Sequence, residues 1–174
     1  MVKSKEEQEE LFYSMEAIMV SQFRICQTLR DLSQQERKLL LDGKAEELVG
    51  LVEKKEMLLD DLGKLEETRR TMTDRISQKL GFTDIENLHD LLVRVRTSSA
   101  QRLNRLREGI MAIQSEIRET NRGNAALANL NIDRIGALQD HLVKLMGTSA
   151  YYHQPIPAAG TNTPPMSWGM DHQA

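Results

Sequence analysis

Aromatic residues and cysteine are both scarce in this chain of 174 residues. Only 4% of the residues are aromatic and there is a single tryptophan, so leucine, isoleucine and methionine must form most of any core. The one cysteine, Cys26, cannot form an internal disulfide and stands among apolar neighbours. This usage fits a reducing compartment, and we predict a cytoplasmic protein in which Cys26 is a packed thiol.

Long apolar runs and a strong excess of one charge are also missing. No stretch of about 18 apolar residues is present, and the polar, acidic N-terminus lacks the apolar segment of a signal peptide. The 23 basic and 26 acidic residues give a net charge of -3. That balance is atypical of proteins that coat nucleic acid or membranes. We therefore expect no nucleic-acid partner and no membrane insertion.

Proline is confined to the end of the chain, at Pro155, Pro157, Pro164 and Pro165. Because proline is the strongest helix breaker, its absence before residue 155 permits long helices. We predict two domains, a helical coiled-coil domain over residues 1–148 and a flexible Pro- and Gly-containing tail over residues 149–174. Within this tail Trp168 and its methionine neighbours are either a docking motif or an accidental apolar cluster.

Apolar residues at alternating steps of three and four predict an all-α fold, a three-helix antiparallel coiled-coil bundle with a long third helix. The first helix is expected to begin at Ser4, which can form a capping box with Glu7. The row of apolar residues along this helix, which we call its seam, is interrupted by Gln22 and Glu36. Asp42 and Gly43 form the turn that separates it from the second helix.

The second helix is predicted to run from about Lys44 to Lys79 and to stop at Gly81. Its apolar seam includes Leu51, Leu58, Leu62 and Ile76. Lys55 and Arg69 occupy seam positions where an apolar side chain would be expected. We therefore expect this helix to pack against neighbouring helices over most of its length, with an apolar interface that is interrupted at these two positions.

The third helix is predicted to begin at Thr83, which can form a second capping box with Glu86. It has one weak point at Thr97, Ser98 and Ser99, where the helix either continues or breaks. A continuous helix would be about 94 Å long, against about 54 Å for each of the first two. Its last part, from about residue 121 to 146, would then carry an uncovered apolar stripe, which is typical of a binding surface. A second copy of the chain in a homodimer could cover this stripe as readily as a foreign partner.

Two blocks of the sequence resemble the FlgN-type flagellar export chaperones. The first block has Lys54, Lys55, Glu56, Leu58, Leu59, Leu65, Glu66, Arg69 and Arg70, and the second has Asn121, Arg122, Gly123, Asn124, Ala125, Ala126, Leu127, Ile132, Arg134, Ala137 and Leu138. The resemblance covers residues 40–160 and is specific in combination, because each motif alone occurs in many coiled coils.

The resemblance implies a chaperone that holds hook-associated flagellar proteins before their type III export. In this family the client's C-terminal amphipathic helix pairs with the late helical segment of the chaperone. The candidate client-binding residues are therefore Asn124, Leu127, Asn131, Ile135, Leu138, Leu142 and Leu145. The resemblance also implies that Tyr151 or Tyr152 docks on a component of the flagellar export gate. A structural coiled-coil scaffold that forms a homodimer is the alternative function.

No residue pattern predicts catalysis, a cofactor or a metal site. The four histidines are far apart and none has another ligand at helical metal-ligand spacing. The arginines between residues 94 and 107 have no aromatic residues among them, so a solvated helix face is favoured over a nucleic-acid site. We therefore expect an interaction protein, not an enzyme.

Overall fold

The structure is a computed structural model that describes residues 2–95 and 97–149, and the described regular structure is entirely helical. Four helices follow one another: α1 (Val2–Asp42), α2 (Ala45–Leu80), α3 (Leu88–Arg94) and α4 (Ser98–Ser149). The all-α prediction is confirmed. The described residues form four helices where three were predicted, because the chain leaves the helical conformation after Arg94 and re-enters it at Ser98.

The first two helices meet at the predicted turn. Gly43 has φ 69°, a left-handed conformation that glycine adopts without steric cost, and the Lys44 backbone N–H donates to the Leu39 carbonyl at 3.0 Å. The capping box predicted for Ser4 and Glu7 is wrong in position, since α1 already includes Val2. The Glu7 carboxylate instead accepts a hydrogen bond from Lys79 at the far end of α2, which lowers the pKa of Glu7.

Contacts along α1 give the direction of its neighbours. Glu7 pairs with Lys79, Gln22 with Glu66 and Glu36 with Lys55, so α1 and α2 run in opposite directions. Arg102 of α4 pairs with Glu16, and Asn124 bonds the Ser33 carbonyl, so this part of α4 runs in the same direction as α1.

The segment between α2 and α3 differs from the prediction. Gly81, with φ 74°, ends α2, and the Phe82 N–H donates to the Ser77 carbonyl at 2.9 Å. The predicted capping box at Thr83 and Glu86 is wrong, because residues 82–87 are not helical. Phe82 and Ile85 pack against the core and hold this segment outside the helical conformation.

The N-cap of α3 is Asn87. Its Oδ1 accepts the Asp90 N–H at 3.1 Å, and its Nδ2 donates to the Asp90 carboxylate at 2.8 Å. Leu88, Leu91 and Leu92 of α3 are buried in the core. Val95 and Thr97 are not helical, so the chain breaks at the predicted weak point and α4 begins at Ser98. The Thr97 Oγ1 accepts the Ala100 N–H at 3.2 Å.

The chain divides into two compact units, Met1–Arg134 and Ile135–Ala174. The core of the first unit consists of Phe12, Met15, Met19, Cys26, Ile76, Leu88, Leu91, Leu92, Ala100, Leu103, Ile110 and Ile113. Cys26 is buried as predicted, and burial raises the pKa of its thiol although a hydrogen bond from Gln114 opposes the shift. The described part of the second unit, residues 135–149, is helical. The predicted tail beyond residue 149 lies outside the described residues, so the boundary near residue 148 stays a prediction.

Candidate functional site

Four of the sequence-predicted client-binding residues form an exposed apolar row, which we call the late stripe: Ile135, Leu138, Leu142 and Leu145. Their spacing of three and four residues places them on one face of α4. They are 55%, 58%, 56% and 53% exposed. Leucine and isoleucine side chains are usually buried in folded proteins. A row of four that are each more than half exposed is therefore an unusual apolar surface, of the kind that often marks an interaction site.

The other three predicted client-binding residues lie in the first unit and have different surroundings. Asn124 is only 3% exposed, and its Nδ2 donates to the Ser33 carbonyl and to Glu36 Oε2, both at 2.8 Å. Asn131 Nδ2 donates to the Leu40 carbonyl at 3.0 Å, and Leu127 is half-buried. Both asparagines thus contact α1, and Asn124 is not accessible to a partner in this conformation.

Asn124 belongs to a polar layer made by Glu36, Lys55, Asn121 and Asn124. Lys55 Nζ lies 2.8 Å from Glu36 Oε2 and donates to Asn121 Oδ1 at 3.2 Å. The side chains of Lys55 and Glu36 are only 14% and 18% exposed. A cavity of about 270 Å³ borders the four residues. Lys55 and Glu36, the polar interruptions of two separate seams in the sequence, are therefore partners in the fold.

The remaining two seam interruptions are also matched. Gln22 is 4% exposed and donates to Glu66 Oε2 at 3.0 Å, while Arg69 donates to the same carboxylate. The hydrogen bond from Arg69 is the main cause that holds the pKa of Glu66 below its ordinary value. Sequence patterns located Gln22 and Arg69 as interruptions, but they did not reveal that both bind the Glu66 side chain.

The arginines between residues 94 and 107 make separate contacts. Arg102 binds the Glu16 carboxylate through Nε and Nη2 at 3.1–3.2 Å. Arg94 lies 3.3 Å from the Asp84 carboxylate and stacks over Phe82 at 5.7 Å. Two of these arginines are thus paired with carboxylates of the same chain, and the preference for a solvated helix face over a nucleic-acid site stays a prediction. Arg96 lies outside the described residues.

Chemistry-bearing clusters are missing from the described part of the chain. Within residues 2–95 and 97–149 no group of three or more His, Cys, Asp or Glu side chains could hold a metal ion. None of the helices in those ranges is long and apolar enough to cross a bilayer. Tyr151, Tyr152 and Trp168 lie outside the described residues.

Within residues 2–95 and 97–149 the regular structure is helical, and the late stripe is an exposed apolar row on the last helix. The model of one protein family, described as FlgN protein, matches residues 11–155. The chain belongs to the FlgN family, whose members are non-enzymatic chaperones of flagellum biogenesis and type III protein export. The curated proteins and the solved structures gave no significant match.

Proposed function

We propose that this protein is a cytoplasmic chaperone that binds the C-terminal amphipathic helix of hook-associated flagellar proteins. The late stripe provides the binding surface, and an antiparallel bundle of α1, α2 and the first part of α4 is the scaffold. Binding covers the client's apolar face, which prevents premature assembly and keeps the client ready for delivery to the export gate. The observation that carries this proposal is the exposure of Ile135, Leu138, Leu142 and Leu145 at 53–58%.

The exposed area is large enough to drive binding. Full burial of one leucine or isoleucine contributes about 1.5–3 kcal/mol, so covering the exposed half of four such side chains contributes roughly 3–6 kcal/mol, and burial of the matching apolar face of the client contributes roughly as much again. Ordering a disordered client segment costs about 2–5 kcal/mol, which offsets much of this gain. The net affinity is therefore moderate, and a moderate affinity suits a chaperone that must release its client.

The test is a pair of matched double variants on α4. Leu138→Asp with Leu142→Asp places two carboxylates in the late stripe, whereas Gln139→Asp with Val143→Asp places two at the same spacing one residue further on. Gln139 and Val143 are exposed and lie on a different face of the helix. Isothermal titration calorimetry with purified hook-associated proteins should show at least about 100-fold weaker binding for the first variant. The second variant should bind like the wild type.

Equal binding by both variants, with helicity preserved in circular dichroism, would contradict the role of the late stripe. Light scattering of the isolated protein addresses the homodimer alternative. We expect a monomer, and a tight dimer that Leu138→Asp with Leu142→Asp dissociates would favour the scaffold function instead.

Docking on the export gate through Tyr151 or Tyr152 is part of the same proposal and is supported by the family resemblance. A Tyr151→Ala, Tyr152→Ala variant should retain client binding and lose co-purification with the gate component. Retention of both interactions would remove these tyrosines from the proposal.

A further inference from the structure

The two ends of the bundle in the first unit are stabilised by different interactions. The apolar end, residues 11–26, 62–95 and 100–117, contains every member of the buried core cluster and the partly buried side chains packed on it. The polar end comprises residues 33–55 and 121–134. Three described side chains of the polar end are buried. One is apolar, Leu51, and two are polar, Ser33 and Asn124.

The buried polar atoms of the polar end are incompletely paired. Within the described structure neither Ser33 Oγ nor Asn124 Oδ1 has a hydrogen-bond partner. An unpaired buried polar atom destabilises the closed state relative to one in which water reaches it. The Glu36 and Lys55 ion pair adds little to this balance, because desolvation offsets much of the attraction between buried charges. Both features reduce the stability of the closed polar end relative to an apolar interface.

We infer that the polar end opens reversibly as a unit while the apolar end stays folded, and that the open form exposes a second client-binding section on residues 121–134 of α4. This inference rests on the proposed function, and the occupant is the same amphipathic client helix. Closing requires the Asn124 and Asn131 amides to bond the Ser33 and Leu40 carbonyls of α1. Opening frees these two asparagines, which the closed bundle holds against α1, and exposes the half-buried Leu127 between them.

Thiol labelling tests the opening without any client. Cys26 and Ser33 lie seven residues apart on α1, and both side chains are 0% exposed. In a Ser33→Cys variant the two thiols report on the two ends of one molecule, and peptide mass analysis separates their labelling rates. We expect the thiol introduced at position 33 to be labelled at least about 100-fold faster than Cys26. Equal protection of the two thiols would overturn the inference.

A second measurement avoids the substitution at Ser33. In hydrogen exchange of the wild type, the backbone amides of residues 121–134 should exchange at least about tenfold faster than those of residues 100–117. The amides of residues 121–134 should therefore exchange through a local opening and not through global unfolding. Exchange of both segments only through global unfolding would contradict a separate opening.

Replacement of the ion pair by apolar side chains tests whether opening of the polar end is linked to client binding. The Glu36→Leu, Lys55→Met variant removes two buried charges and leaves Asn124 bonded to the Ser33 carbonyl. Introduced together with Ser33→Cys, it should slow labelling at position 33 by about tenfold, and it should weaken client binding by a similar factor. Slower labelling with unchanged client affinity would refute the second client-binding section. Lack of client binding by the wild type would contradict the proposed function, and the labelling ratio would still decide whether the polar end opens.

Discussion

The apolar end and the polar end of the bundle contain the same three long helices but use different chemistry to join them. At the apolar end α3 adds Leu88, Leu91 and Leu92 to a core in which Met15 and Leu103 are fully buried. At the polar end an ion pair and asparagine side chains occupy the equivalent interior positions. Apolar contacts stabilise without strict geometry, whereas each polar contact needs one particular partner. The comparison indicates that the apolar end supplies stability and the polar end supplies register.

The largest expected effect comes from equal truncations at the two ends. Leu103 is fully buried at the apolar end and Leu51 is 7% exposed at the polar end, and both lie inside helices that tolerate alanine. Leu103→Ala should lower the free energy of unfolding by about 3–5 kcal/mol, and Leu51→Ala by about 2 kcal/mol, because a loosely packed site collapses more easily around a cavity. Urea titration followed by circular dichroism measures both values. A cost for Leu51→Ala equal to or above that for Leu103→Ala would contradict the division into two ends.

The second prediction concerns the ion pair of the polar layer. Lys55→Met alone leaves the Glu36 carboxylate, 18% exposed, without its cation, and should lower the free energy of unfolding by about 2 kcal/mol. Glu36→Leu together with Lys55→Met should restore the wild-type value or exceed it, because no unpaired buried charge remains. Thermal and urea denaturation of the single and double variants completes the cycle. A double variant that is less stable than Lys55→Met would show that the pair itself stabilises this end.

The fold was predictable where the signal is local. Gly43 and Gly81 end helices at the positions that the sequence indicates. Glycine adopts the left-handed conformation that terminates a helix without steric cost, so a glycine directly after an apolar stripe predicts a helix end. The residue at which the chain becomes helical again after Gly81 was not predictable, since Thr83 with Glu86 and Asn87 with Asp90 offer caps of similar strength. Packing of Phe82 and Ile85 against the core selects Asn87. That choice depends on tertiary contacts that no local pattern contains.

The candidate site divides in the same way. Helical spacing alone places Ile135, Leu138 and Leu142 on one face, and their exposure agrees with the apolar row that the sequence predicts. Helical spacing also places Asn124 on the seam. It does not reveal that Asn124 bonds α1, because the partner carbonyl of Ser33 is 91 residues away and the register of α4 on α1 decides the contact.

The smallest predicted effect tests the cap that α3 uses at the apolar end. Asn87→Ala removes the side chain that accepts the Asp90 N–H and should lower the free energy of unfolding by about 1 kcal/mol. Thr83→Ala is the matched control, because the Thr83 hydroxyl contacts the exposed Asp84 carboxylate and caps no helix in the structure. It should change stability by less than about 0.5 kcal/mol. The reverse order of the two effects in urea titrations would restore Thr83 as the cap, and α3 would then begin earlier than Leu88.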